Sequence, residues 1–170
     1  MQQPWGPAGK VRPTGASIAL FVVTLGIYGF VYNYSVHDEM KRHSGRGIGG
    51  GVALLLSFLA GVAMPFVTPA EVGSLYSRRG FPEPVNGWTG LWYVGPAIAG
   101  YLAFFVLLFA TVALNVHQTT HGASAAPPWH IFAGVGIAFL VYVATLAAGG
   151  IAWFVKTNGA LNRYWESLRR

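Results

Sequence analysis

The feature that constrains this chain most is a run of 72 residues, 84–155, that contains no Asp, Glu, Lys or Arg. Two shorter stretches, residues 13–36 and 47–70, are also free of these residues. Only 9% of the 170 residues are charged and 54% are hydrophobic, whereas an average soluble domain is about 25% charged. So few ionisable groups cannot cover the surface of a soluble domain. The composition therefore excludes an ordinary soluble enzyme, a disordered chain and a nucleic-acid-binding domain, and it indicates an integral membrane protein.

The charge-free stretches predict four membrane-spanning helices. A span needs about 20 apolar residues, so each short stretch holds one span. The long stretch holds two, on either side of a polar segment that contains Gly122, Pro127 and Pro128. The predicted fold is an all-α integral membrane protein with short interfacial helices after spans two and four. Residues 1–13 are expected to form a flexible tail rich in Pro and Gly, and residues 14–170 a single transmembrane domain. The expected spans are residues 16–34, 49–68, 92–116 and 130–155.

The positions of Lys and Arg predict the orientation. With four spans, the two tails and the loop between spans two and three share one side, which carries eight Lys and Arg, and the other side carries three. The positive-inside rule then places both termini in the cytoplasm of a bacterial plasma membrane. Alternatively, the first segment is a re-entrant hairpin, because Gly26 and Gly29 weaken a helix near its centre. With this alternative, five Lys and Arg lie on one side of the membrane and six on the other, which predicts no orientation. The more unequal division given by four spans favours the four-span topology.

Small residues at four-residue spacing predict close helix packing. Span two carries one such stripe and span four another, and span four also has Gly134 and Ala138 at this spacing. Small side chains let helices approach closely in lipid. The preferred interpretation is that the stripes hold this protein's own helices together, and the alternative is a docking face for another subunit. The predicted packing residues are Gly49, Ala53, Ser57, Gly61, Ala144, Ala148 and Ala152.

Two surface-lying helices are expected beside the spans. Pro65 should break span two near its end, and Thr68 with Glu71 fits a capping box that opens the first helix. After Lys156, a second amphipathic helix is expected on the membrane surface, unless this segment is simply the end of span four. Arginines on these helices suit anionic headgroups. The predicted headgroup contacts are Arg78, Arg79, Arg163, Arg169 and Arg170.

Histidines near the last loop are the candidates for a metal site. His117, His121 and His130 have a spacing that suits zinc, copper or haem. However, residues 115–130 contain no carboxylate that would orient an imidazole. The chain also has no Cys, which removes thiolate ligands and a cysteine nucleophile. We therefore expect interfacial histidines that hold no metal or cofactor.

Only one segment brings acids and histidines together in the sequence, namely His37-Asp38-Glu39 with His43. Because Lys41 follows closely, we interpret this segment as a solvated loop. The predicted spans contain no Asp, Glu, Lys or Arg, whereas proton-coupled transporters and pumps place such residues at membrane depth. The sequence therefore shows no catalytic constellation.

Three separated blocks resemble a known family. Residues 20–34 contain Thr-Leu-Gly-Ile-Tyr-Gly-Phe, residues 65–76 begin Pro-Phe-Val-Thr-Pro-Ala-Glu, and residues 151–165 end Leu-Asn-Arg-Tyr-Trp. In this order they resemble the bacterial "domain of unknown function 4234" family. The resemblance implies a small multi-pass membrane protein, and it supplies neither an activity nor a catalytic residue. It also implies one span between Trp88 and the closing block. The third predicted span and the loop with the histidines therefore resemble an insertion relative to the family pattern.

The sequence thus predicts a non-enzymatic membrane protein that acts through helix packing, as an accessory, scaffold or assembly subunit of a larger complex. Its expected partners are the lipid bilayer and either another membrane protein or a second copy of the chain, and not nucleic acid. The alternative is a metal- or haem-binding membrane subunit that uses the loop histidines. A transporter is a third possibility, which rests only on spans interrupted by Gly and Pro.

Overall fold

The computed structural model describes residues 5–120 and 128–169, and within these residues the regular structure is entirely helical. This confirms the all-α prediction. The six α-helices are α1 (Thr14–Val23), α2 (Tyr28–Ser44), α3 (Gly49–Leu59), α4 (Met64–Ser77), α5 (Leu91–Thr120) and α6 (Pro128–Ser167). Two short 3₁₀ turns, Gly61–Ala63 and Gly87–Gly90, precede α4 and α5.

The chain divides into two compact units, and a single transmembrane domain over residues 14–170 stays a prediction. The first unit comprises residues 1–92 together with 151–170, and the second comprises residues 93–150. The first unit contains α1 to α4 and the C-terminal part of α6. The second unit contains most of α5 and the N-terminal part of α6.

The first predicted span, residues 16–34, is not a single helix. Residues 24–27 form a turn between α1 and α2, in which Leu25 has a φ of 50° and Gly26 a φ of 90°. These are left-handed values that glycine adopts without strain. The N–H of Gly26 donates to the carbonyl of Phe21 over 2.8 Å, which closes the end of α1 as in common helix C-caps.

α2 runs back along α1 after this turn. The ring of Phe21 lies 5.2 Å from the ring of Tyr28 near the turn, and Arg12 meets Glu39 at the other end of the pair. The prediction of one spanning helix here is therefore wrong. The acid- and histidine-containing segment that was expected to be a loop is the C-terminal part of α2.

The second predicted span, residues 49–68, is also interrupted. α3 and the helical segment after it are bent by 117° relative to each other. Pro65 stands in the first turn of α4, where the missing N–H of a proline costs no helical hydrogen bond. α3 lies alongside α2, and Asn33 Nδ2 donates to Ser57 Oγ over 2.9 Å.

Two helical stretches are long and apolar enough to cross a membrane, Gly87–Thr120 and Trp129–Ser167. They contain the predicted spans 92–116 and 130–155. The bent pair of α3 and α4 would add a third if it counts as one span. The described residues thus provide two to three candidate membrane spans, and not the four expected.

Neither expected interfacial helix lies on the surface of its unit. In α4, Val72 and Leu75 are buried. α6 continues past Lys156 to Ser167 without a break, which agrees with the alternative that this segment is the end of the last span. Leu161 and Trp165, which lie in this segment, are buried in the first unit.

The second unit is a pair of helices that approach closely at small residues. The Cα of Gly100 lies against Thr145, and that of Gly134 lies against Thr111. Ala138 is fully buried. These contacts match the prediction that Gly134 and Ala138 pack against a helix, and they add Gly100, which the sequence pattern did not single out.

Candidate functional site

The first unit gathers polar side chains where α2, α4 and the end of α6 meet the N-terminal segment. A buried helical face of α2, formed by Tyr32, Val36, Met40 and His43, faces this region. We call the buried and half-buried polar residues here the polar core. It consists of Arg12, His37, Glu39, His43, Thr68, Glu71, Asn158 and Asn162.

His37 joins α2 to α4 at the centre of the polar core. Its Nδ1 lies 2.6 Å from Glu71 Oε2 and its Nε2 lies 3.1 Å from Thr68 Oγ1. The other carboxylate oxygen of Glu71 accepts from the backbone N–H of Ile48 over 2.6 Å. An ionised carboxylate only accepts, so Nδ1 carries a proton and donates to Glu71. In the neutral ring, Nε2 then accepts from the Thr68 hydroxyl.

A hydroxyl, an imidazole and a carboxylate in this order also form the triads of hydrolases. Here, however, His37 and Thr68 are completely buried, so a substrate has no access to the hydroxyl. Thr68 was expected to cap a helix, but α4 already begins at Met64. The arrangement of His37, Thr68 and Glu71 is therefore one that fastens helices to each other.

An ion pair joins the N-terminal segment to α2. Arg12 donates two hydrogen bonds to the carboxylate of Glu39, of 2.8 and 2.5 Å, and the backbone N–H of Lys10 donates a third over 3.0 Å. Burial alone would lower the pKa of Arg12, but the hydrogen bonds and charge of Glu39 outweigh it and raise this pKa above its ordinary value. Arg12 therefore stays charged at every physiological pH.

Two asparagines one turn apart on α6 hold the backbone of Arg12. Asn158 Nδ2 and Asn162 Nδ2 both donate to the Arg12 carbonyl, over 3.1 and 2.7 Å. The Arg12 N–H donates to Asn162 Oδ1 over 3.0 Å. Asn158 Oδ1 also accepts from the Tyr32 hydroxyl over 3.1 Å. These contacts bring the N-terminal segment, α2 and α6 together.

His43 makes a similar junction at the end of α2. Its Nδ1 lies 2.8 Å from the carbonyl oxygen of Gly6 and its Nε2 lies 3.1 Å from the hydroxyl of Tyr164. The N–H of Gly6 donates back to the His43 carbonyl over 2.8 Å. The interpretation of the segment around His37 and His43 as a solvated loop is therefore wrong, since both rings are buried. The N-terminal segment is thus bonded to this junction through Gly6, and a flexible tail over residues 1–13 stays a prediction.

The predicted headgroup arginines gather around the same end of the first unit. Arg79 lies over the ring of Trp5 at 5.1 Å and over the ring of Tyr164 at 5.4 Å. Arg169 Nη2 donates to the Gly9 carbonyl over 3.1 Å. Arg78 and Arg163 are exposed, and Arg170 lies outside the described residues. Whether these groups contact lipid stays a prediction.

The predicted packing stripes are only partly in contact with other helices. Gly49 and Ala53 are buried, and Ser57 bonds to Asn33. Gly61 is exposed, and nothing lies within 4 Å of the position that a Cβ would take. In the second unit, the stripe does not form the inner contact. Ala144 and Ala148 are exposed, and Ala152, in the first unit, is half-buried.

Two of the three loop histidines proposed as metal ligands, His117 and His130, lie within the described residues. His130 is exposed and stacks on Trp129, with 3.5 Å between the ring centroids. His117 is exposed as well, and His121 lies outside the described residues. Among residues 5–120 and 128–169, no three His, Cys, Asp or Glu side chains are placed to hold a metal ion.

Sequence reasoning missed the polar core because its members are far apart in the chain. One signal was present: Tyr32, Val36, Met40 and His43 follow helical spacing across the end of the first predicted span. That periodicity predicts a helix with one buried face, and a solvated loop would not show it. Asn158 carries no comparable local signal.

Two helices that are long and apolar enough to cross a membrane, and that bury few of their own residues, indicate a helical membrane protein. More particularly, residues 12–79 match the model of the family described as "Domain of unknown function (DUF4234)", and this confirms the family resemblance. The matched residues include α1 to α4 and most of the polar core. The closing block, residues 151–165, lies outside the match. No curated protein and no solved structure matches the chain.

Proposed function

We propose that this protein is a non-enzymatic membrane protein that serves as an accessory, scaffold or assembly subunit of a larger complex. The observation that carries the proposal is the inaccessibility of His37 and Thr68. The one arrangement that resembles a catalytic triad has each of its groups bonded to a neighbouring helix. His37, Thr68 and Glu71 therefore hold the helices of the first unit together, and this arrangement presents no reactive group to a substrate.

The second unit supplies the surface on which such a subunit would act. Its outer helix faces are apolar, with Phe139 and Leu140 more than half exposed. Ala144 and Ala148 lie one turn apart on the exposed surface of α6. Small residues allow another transmembrane helix to approach closely, so this stripe supports a contact with a second membrane protein or a second copy of the chain. The rest of the apolar surface faces lipid.

We place the protein in a bacterial plasma membrane with both termini in the cytoplasm. The contacts of Arg12 with Asn158 and Asn162 support a common side for the two ends of the chain. The positive-inside rule supports the cytoplasmic side, because most Lys and Arg lie in segments that share the side of the termini.

Native electrophoresis of mildly solubilised membranes tests the proposal. The wild-type chain is expected to migrate in an assembly larger than its own mass. Ala148→Leu adds bulk on the small-residue stripe and should release the chain from the assembly. Ala147→Leu is the matched control, because Ala147 is equally exposed but lies beside the stripe.

Two outcomes contradict the proposal. One is a wild-type chain that migrates alone from native membranes. The other is equal behaviour of the Ala148→Leu and Ala147→Leu variants, which would mean that the stripe makes no contact. Identification of the co-migrating chain in the wild-type band distinguishes a second copy from another protein.

A further inference from the structure

Several of the most exposed apolar residues of the first unit lie at the turn between α1 and α2 and at the break after α3. At the first position Leu25 is 94% exposed and Val23 is 80% exposed. At the second, Phe58 is 78% exposed. We call these two places the apolar tips. Ile27, Leu59 and Val62 are also more than half exposed there.

The opposite ends of the same helices meet at charged and polar contacts. The end of α2 touches both ends of the chain, through His43 with Gly6 and with Tyr164. The start of α3 is bonded to α4 through Ile48 and Glu71. A four-span topology would place His43 across the membrane from Gly6 and Tyr164. A direct contact between these residues is incompatible with that topology.

The contacts of α6 show on which side of the first unit the apolar tips lie. It is charge-free up to Val155, and Lys156 is its first charged residue. Near that change, Asn158 bonds to Thr14 at the start of α1. Further back, in the apolar part of α6, Phe154 contacts Phe21 near the end of α1. α1 therefore extends from the charged boundary along the apolar part of α6.

α2 and α4, the second helices of the two pairs, run in the same direction as the C-terminal part of α6. α4 runs in the direction of α6, since Trp153 bonds to the Pro65 carbonyl and Tyr76 bonds to the Ala160 carbonyl. α2 also runs in the direction of α6, since Tyr32 contacts Phe154 and His43 contacts Tyr164 further along both helices. Both helices thus end beside the charged end of α6.

α1 and α3, the first helices of the two pairs, are too short to cross a bilayer. α1 has 10 residues and α3 has 11, which correspond to lengths of about 15 Å and about 17 Å. The hydrocarbon core is about 30 Å thick. A helix that starts at the boundary and has this length ends near the middle of the membrane, where α1 and α3 turn.

We infer that α1 with α2, and α3 with α4, are two re-entrant hairpins embedded in a single leaflet, and that within the described residues only α5 and α6 cross the membrane. The occupants of the apolar tips are then the acyl chains of that leaflet. An open apolar groove of about 720 Å³, lined by Phe30, Gly51, Leu54, Leu55 and Phe58, lies beside the second tip and suits an acyl chain.

The distribution of charge supports this topology independently. It places the N-terminal segment, the end of α2 with the α2–α3 turn, the α4–α5 connector and the C-terminal end on one side, and these segments contain all 11 Lys and Arg. The α5–α6 connector on the other side contains none. The division of Lys and Arg between the two sides, eleven to none, is more unequal than the division of eight to three that four spans give. The basic side also suits anionic headgroups.

Single-cysteine labelling from each side of the membrane tests the topology, and it is clean because the chain has no Cys. Arg46→Cys, Arg78→Cys and Gln118→Cys replace exposed residues. An impermeant maleimide in intact cells is expected to label position 118 and to spare 46 and 78. In inverted vesicles the pattern should reverse.

Each competing topology gives a different pattern and would overturn the inference. Labelling of positions 46 and 118 in intact cells, with 78 spared, would indicate four spans. Position 78 on the opposite side from both 46 and 118 would indicate three spans, with α3 and α4 as one. The result is independent of the native-electrophoresis test, so a failure here leaves the proposed scaffold role standing.

A nitroxide at Leu25→Cys, in vesicles of phosphatidylethanolamine and phosphatidylglycerol, tests the occupant of the first tip. Frequent collisions with oxygen and rare collisions with a water-soluble nickel chelate are expected. The same label at Arg46→Cys is the control and should show the reverse. An immobilised label at position 25 that neither reagent reaches would show a protein partner on the tip, and rapid collisions with nickel would show a tip in water. Either result overturns the assignment to acyl chains.

Discussion

The two units of this chain are stabilised by different kinds of contact. All charged residues, 11 basic and 5 acidic, lie in the first unit, and residues 93–150 have none. The first unit is joined by hydrogen bonds and ion pairs, such as His37 with Glu71 and Arg12 with Glu39. The second unit is joined by close approach at Gly100 and Gly134.

The difference reflects how specificity arises in two environments. A buried polar group is expensive unless it is paired, so each bond of the polar core fixes one arrangement of the helices. In lipid, apolar side chains gain little by leaving the acyl chains, and association depends on contact distance and fit. The first unit should therefore respond to the loss of partners, and the second to added bulk.

The largest expected effect is that of Glu71→Ala. It removes the partner of the buried His37 Nδ1 and of the half-buried Ile48 N–H at once. A buried donor that is left without its partner costs about 1–3 kcal/mol, and here one carboxylate serves two donors. Thermal unfolding in detergent, followed by tryptophan fluorescence, should show a large decrease in Tm.

Glu166→Ala is the control for this variant, because Glu166 is an exposed carboxylate on α6, and its Tm should be close to that of the wild type. Thr68→Val, which removes only the hydroxyl bonded to Nε2, should lie between the two. If Glu71→Ala and Glu166→Ala unfold at the same temperature, polar pairing does not determine the stability of the first unit.

An intermediate effect is expected for Gly100→Ala in the second unit. The added Cβ would overlap the hydroxyl of Thr145, and overpacking typically costs about 1–3 kcal/mol. Gly136→Ala is the matched control, since no atom lies within 4 Å of its Cβ position. Alanine also favours a helix over glycine, so this control should be as stable as the wild type or more so.

A double variant sharpens this test. Thr145→Ala removes the hydroxyl that the new Cβ meets, so Gly100→Ala combined with Thr145→Ala should recover part of the lost Tm. Additive losses in the double variant would mean that the two positions are not in contact. If Gly100→Ala and Gly136→Ala unfold at the same temperature, close approach of the helices at Gly100 does not stabilise the second unit.

The smallest expected effect is that of Arg79→Gln, which tests an exposed contact at the edge of the first unit. It removes a guanidinium from the faces of Trp5 and Tyr164, a contribution of about 0.5–1 kcal/mol at exposed sites. Limited proteolysis should cleave the N-terminal segment faster than in the wild type, with little change in Tm. Arg78→Gln is the control, and equal cleavage of both variants would contradict a role for Arg79 in binding this segment.

The sequence by itself determined the class of the protein, its resemblance to the family that matches residues 12–79 and its two long apolar helices. These follow from composition, from charge-free length and from local motifs, all of which are properties of neighbouring residues. Even the sites of interruption were visible locally, as Gly26 and Pro65. The consequence of the interruptions was not visible, because a break does not indicate the direction in which the chain continues.

Only the tertiary structure decided that the first two segments return to the side from which they start, and which polar groups pair. His37 and Glu71 are 34 positions apart, and Tyr32 and Asn158 are 126 apart. The physical reason is that hydrogen bonds of this kind depend on distance and angle between helices brought together by folding. A pattern read along one helix shows that a face is buried, but the partner on the other side of that face is fixed only by packing.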